Sequence, residues 1–86
     1  DKAKFRSSQK WKKKRAEILL RDHNQCKICG GKSHLQCHHI YSLDNSPELK
    51  LENTNLITLC DNCHHDVHNQ IYSTVYLISL LKTMNN

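Results

Sequence analysis

Two cysteine pairs of identical spacing, Cys26-x-x-Cys29 and Cys60-x-x-Cys63, constrain this chain more than any other feature. Its 86 residues are only 37% apolar, with five aromatics, so the core a fold can bury is small and a staple is expected. Cys37 stands alone, and an odd count built around two Cys-x-x-Cys pairs argues for metal binding in a reducing compartment over a secreted disulfide framework. Each pair places two thiolates at one corner of a turn, and zinc prefers four ligands in a tetrahedron. Gly30-Gly31 suits the tight turn that the first pair requires. Four sulfurs leave no open coordination position, so Cys26, Cys29, Cys60 and Cys63 are expected to hold a structural zinc ion that joins the front of the domain to a helix near its end. A dithiol redox site would need a thioredoxin-like strand-helix context, and neither pair has one. Cys37 reads as a buried small hydrophobe.

The elements around the cysteines read as a single α+β domain over residues 1–86. Ser7 or Ser8 caps a basic helix running to about Asp22, with Trp11, Ile18 and Leu19 on its inner side. Leu35 to Tyr41 reads as a strand, residues 42–54 with Pro47 as a polar loop, and Leu56–Leu59 as a second, apolar strand. Asp61 or Asn62 caps the helix that follows. The tail, residues 70–86, carries Ile71, Val75, Leu77, Ile78, Leu80, Leu81 and Met84 and can form a last helix from Ser73, with its apolar face in the core or in a dimer contact.

Charge is distributed unevenly. Residues 1–21 hold nine Lys or Arg against Asp1 and Glu17, a net of +7, which leaves −2 on the rest of a chain whose total is +5. A basic arm on a nearly neutral body suggests nucleic acid as partner, with Lys12, Lys13, Lys14 and Arg15 gripping phosphates in a salt-sensitive, sequence-blind way. No apolar run is long enough to span a bilayer and the start is not signal-like, so a soluble, cytoplasmic protein is expected.

Seven histidines are many for this length. His64 and His68 are four apart on the helix that follows the second cysteine pair, so both rings leave one face, the spacing by which a helix offers two nitrogens to one metal. His65 points elsewhere. His38 and His39 are neighbours on a strand and face opposite sides. One of the two can be a third ligand while the other stays free to accept a proton; geometry alone leaves open which. Three ligands with open positions form a catalytic arrangement.

The run His38-His39-Ile40, then Asn55-Leu56-Ile57-Thr58-Leu59-Cys60, then Cys63-His64 and His68 resembles the HNH endonuclease family, within the ββα-metal (His-Me finger) nucleases. The helix from Trp11 to Asp22 and the first cysteine pair also resemble the front of phage and bacterial members, which would place the protein in a bacterial host cell. The resemblance covers residues 8–69 and implies a ββα-metal fold. It assigns His39 as general base and His38, His64 and His68 as ligands of an exchangeable divalent metal. Asn55, nine residues before His64 and so preferred to Asn53, is implied as the residue whose amide ties the loop across the hairpin and orients the base.

The resemblance further implies phosphodiester hydrolysis in DNA, leaving 5′-phosphate and 3′-hydroxyl ends. Three imidazoles suit manganese, cobalt, nickel or zinc better than magnesium. One site cuts one strand, so a monomer nicks, and double-strand cutting needs repeated attack or a weak homodimer. The competing readings are a non-catalytic zinc module for DNA or protein binding, for example in phage DNA packaging, and a structural zinc-ribbon adaptor. Neither uses His39 or Asn55.

Overall fold

The computed structural model describes residues 2–82. A short helix, α1 (Lys2–Arg6), precedes the main basic helix α2 (Gln9–Arg21). Strands β1 (Leu35–His39) and β2 (Leu56–Cys60) form an antiparallel pair, followed by α3 (Asp61–His68) and α4 (Thr74–Lys82). The order is that of a small α+β protein with a ββα unit at its centre. Helix α1 was not foreseen, and Met84 lies outside the described residues.

Alternation along β2 organises the packing. Leu56 faces Trp11 and Ile18 of α2, while Ile57 and Leu59 face the opposite cluster, which contains Cys26, Cys63, Ile40 and Leu77. The two-stranded sheet is therefore covered on both faces, which explains why β2 is buried from Leu56 to Leu59 instead of alternating. Ser8 caps α2 by accepting a hydrogen bond from the Trp11 amide at 3.2 Å, and Trp11 and Ile18, two turns apart, are its buried residues. Ser73 likewise accepts from the Tyr76 amide at 3.0 Å and starts α4. Leu77 of that helix is 1% exposed, so the tail is part of the core.

The helix end and the sheet are joined by charge. Asp22, the C-cap of α2, is buried, and its carboxylate accepts from the Thr58 amide at 2.9 Å and from the Arg21 guanidinium at 2.8 and 3.0 Å. Arg21 also donates to the carbonyls of Leu56 at 2.7 Å and Asn53 at 2.8 Å. A buried carboxylate is tolerated only with such partners.

Three sequence expectations are corrected. Strand β1 stops at His39, two residues short of Tyr41, because Asn55 takes over the hydrogen bonding of the next residues: its carbonyl accepts from the Ile40 amide at 2.9 Å and its side chain occupies the Tyr41 backbone. The loop before β2 contains two 3-10 turns, Pro47–Leu49 and Asn53–Asn55, the first started by the fixed φ of proline. The cap of α3 is Cys60, whose sulfur accepts from the Cys63 amide at 3.5 Å, and neither Asp61 nor Asn62.

Candidate functional site

The four paired cysteines converge. The sulfurs of Cys26, Cys29, Cys60 and Cys63 all lie within 4.8 Å of one another, and all four are free thiols. A zinc–sulfur bond of about 2.3 Å implies a tetrahedron edge of about 3.8 Å, close to the 3.6 Å between Cys29 and Cys60. The cradle is backbone-built. Gly30 turns with φ +79, its amide donates to the Cys26 carbonyl at 2.9 Å, and the Gly31 amide donates to the Cys29 sulfur at 3.4 Å. A Cβ at Gly31 would meet that sulfur at 3.4 Å. The donor set and its spacing fit one closed, four-coordinate metal such as zinc.

The second cluster forms where β1 meets α3. Alternation on β1 sends His38 to the α3 face, where His64 and His68, one turn apart, already stand together. Their ligating nitrogens also lie within 4.8 Å of one another, and the Nε2 atoms of His64 and His68 are 3.1 Å apart. Two nitrogens about 2.1 Å from one metal stand about 3.0 to 3.4 Å apart in octahedral or tetrahedral geometry, so the set fits a single divalent cation. Burial, and then the neighbouring imidazoles, push the His38 pKa down to about 4. Burial and His68 lower that of His64. The rings are thereby kept neutral, the form that ligates metal. His65 turns away and pairs with the Asn69 side chain at 2.9 Å.

His39 occupies the other face of β1. Its ring stacks on Trp11 with centroids 5.0 Å apart and 20° between planes, and Phe5 of α1 stands 6.1 Å away. Its Nε2 lies 3.0 Å from the carbonyl oxygen of Lys50. A carbonyl only accepts, so that nitrogen carries the proton and Nδ1 keeps its lone pair. Burial lowers the His39 pKa, the Lys50 carbonyl raises it, and the charge on Arg6 lowers it again, for a net downward shift.

Asn55 is 3% exposed and fully engaged. Its Oδ1 accepts from the Tyr41 amide at 2.7 Å, and its Nδ2 donates to the carbonyls of Tyr41 at 3.1 Å and Leu49 at 3.2 Å. Asn53, the alternative, instead accepts from Lys14 Nζ at 2.7 Å on the surface.

A cleft of about 670 Å³ opens over His38, His39, His64 and His68. Of the basic run, Arg15 alone lines it. Lys14 is held by Asn53 and by Glu17 at 3.1 Å, and Lys12 and Lys13 are exposed outside the cleft. Lys2 and Arg6 supply its further positive charge. Sequence reasoning missed them, because nothing along the chain shows that α1 folds back over His39. The ion pair Lys2–Asp44 at 2.6 Å and the Phe5–Trp11 contact at 5.3 Å hold it there.

Comparison with known protein families matches residues 26–70, more than half of the chain, to the HNH endonuclease family. The chain belongs to that family, whose nucleases act on DNA. No curated protein and no solved structure matches it. Among the described residues, no helix is long and apolar enough to cross a membrane.

Proposed function

We propose that this protein is a metal-dependent DNA endonuclease in which His39 is the general base. One observation carries the reading. The Lys50 carbonyl fixes the His39 tautomer so that Nδ1 is left as an acceptor in the cleft that also holds the His38–His64–His68 cluster. Those three imidazoles would hold a divalent cation, which would supply Lewis-acid stabilisation of the phosphate and the leaving oxygen.

Nδ1 of His39 accepts a proton from the attacking water, whose oxygen bonds to phosphorus. The P–O3′ bond breaks, and O3′ leaves and takes up a proton, giving 5′-phosphate and 3′-hydroxyl ends. Trp11 and the Lys50 carbonyl hold the base ring in plane and in tautomer. Asn55 holds the loop that presents that carbonyl, as a positioning residue. The four cysteines would hold zinc as a scaffold, clamping the segment before β1 to the start of α3. Arg15 holds the DNA backbone at the cleft, and Lys12, Lys13 and Lys14 contribute a diffuse field around it.

The experiment is nicking of supercoiled plasmid by the zinc-loaded protein with added manganese, nickel or magnesium. Nicking is expected with manganese or nickel at least as fast as with magnesium, because imidazole suits those metals better. His39→Ala should lose about 10²–10⁴-fold of the rate. Equal nicking by wild type and His39→Ala, or none with any metal, refutes the proposal.

A further inference from the structure

The histidine centre opens onto two grooves of opposite character. On the α1–α2 side lies the cleft with Lys2, Arg6 and Arg15, whose one acidic lining residue among the described residues, Asp44, is already paired with Lys2. On the α4 side lies a second groove of about 410 Å³ that shares His38, His39 and His68, and among the described residues no Lys, Arg, Asp or Glu lines it. Its volume falls in the range of about 300–1,000 Å³ usual for small-ligand sites.

The lining of the second groove has a definite chemistry. Ile40 and Leu77 are buried side chains, and Gln70 and Tyr72 carry an amide and an aromatic ring. The left-handed backbone at Gln70, φ 62, turns the chain after α3 and brings Tyr72 to the same groove as His68. Tyr72 is backed by Tyr76, with centroids 5.3 Å apart and 22° between planes. A ring face, apolar walls and an amide that both donates and accepts match a nucleobase. Away from the histidine centre, a phosphate would find no countercharge from the described residues there.

The position of the groove selects its occupant. Any strand whose phosphate sits at His38, His39 and His68 must continue into both grooves. The cationic side retains the backbone, and the uncharged side favours a base turned inward. Bases of a paired duplex are stacked and their edges engaged, so only an unpaired nucleotide can enter. Resting on the nuclease reading above, we propose that the α4-side groove binds the base of an unpaired nucleotide flanking the scissile phosphate. The preferred substrate is then DNA with a bulged or single-stranded nucleotide at the cut.

The test is binding, separate from cleavage. His39→Ala protein holding its structural zinc is titrated into a labelled duplex and into the same duplex carrying one bulged 2-aminopurine. Anisotropy and 2-aminopurine emission are both recorded. Binding of the bulged duplex is expected to be about tenfold tighter, with emission quenched by stacking on Tyr72. Tyr72→Ala should abolish both effects and Tyr72→Phe should retain them. Equal affinity for the two duplexes, or a preference and quenching that survive Tyr72→Ala, overturns the proposal. Plasmid nicking by wild type without a bulge preference would overturn this inference alone. A bulge preference in a protein that nicks nothing would overturn the nuclease reading instead.

Discussion

The side chains of Asn55 and His39 hold consecutive carbonyls of one loop: Asn55 Nδ2 donates to Leu49 O at 3.2 Å, and His39 Nε2 donates to Lys50 O at 3.0 Å. The orientation of the His39 ring, the proposed base, is thus tied to a buried amide on the far side of the hairpin.

Asn55→Asp tests that link. The substitution keeps an oxygen for the Tyr41 amide but removes both N–H donors, setting a carboxylate against the Tyr41 and Leu49 carbonyls. Leaving such groups unpaired costs about 1–3 kcal/mol each. A lower melting temperature and at least about tenfold slower nicking are expected, with DNA affinity less affected than rate. Wild-type nicking rates in Asn55→Asp would show that the loop does not position the base.

The pH dependence follows from the direction of the histidine shifts. As the proposed base, His39 would act only when neutral, and burial moves its pKa below the ordinary 6.5. The proposed ligands His38, at about 4, and His64 move the same way. Lowered values keep the neutral forms populated further into acid, so the rate should be flat through neutrality and fall only as pH drops below about 6.5. A rate profile whose acid limb is centred above pH 7 contradicts this.

Much of this site was legible from local geometry. Strand alternation separates His38 from His39, helical spacing pairs His64 with His68, and equal Cys-x-x-Cys spacing marks the sulfur cluster. What was not legible depends on segments that meet only in three dimensions. The Lys2–Asp44 pair, the stacking of Trp11 on His39 and the grip of Arg21 on Asn53 and Leu56 have no periodic signature. The cap of α3 was misread for a different reason. Asp and Asn are the stronger caps in isolation, but the extended backbone at Cys60 already places its sulfur at the first turn.

Thr58 offers a test of packing alone. It is 0% exposed, and its hydroxyl has no hydrogen-bond partner among the described residues, although its amide is bound by Asp22. Thr58→Val keeps the shape and the amide while removing the unpaired hydroxyl. Stability should rise by about 1 kcal/mol, read as a melting temperature higher by about 4–8 °C. A fall in melting temperature would mean that the hydroxyl has a partner in solution.

Metal removal separates scaffold from surface thiols. With zinc in place, Cys26, Cys29, Cys60 and Cys63 are engaged. Burial raises the Cys37 thiol to about 12, against the pull of Arg21 and Arg15, so it stays protonated and is unreactive as well. The zinc-loaded protein should therefore show almost no fast-reacting thiol near neutral pH. Chelation should expose all five while helical circular dichroism collapses, because metal binding can supply much of the folding free energy of so small a domain. The order of events matters: thiol reactivity and loss of helix should follow zinc release with one rate. Rapid modification of Cys37 alone in the loaded protein, or full helicity after zinc has left, would show that the sulfur cluster does not hold this fold together.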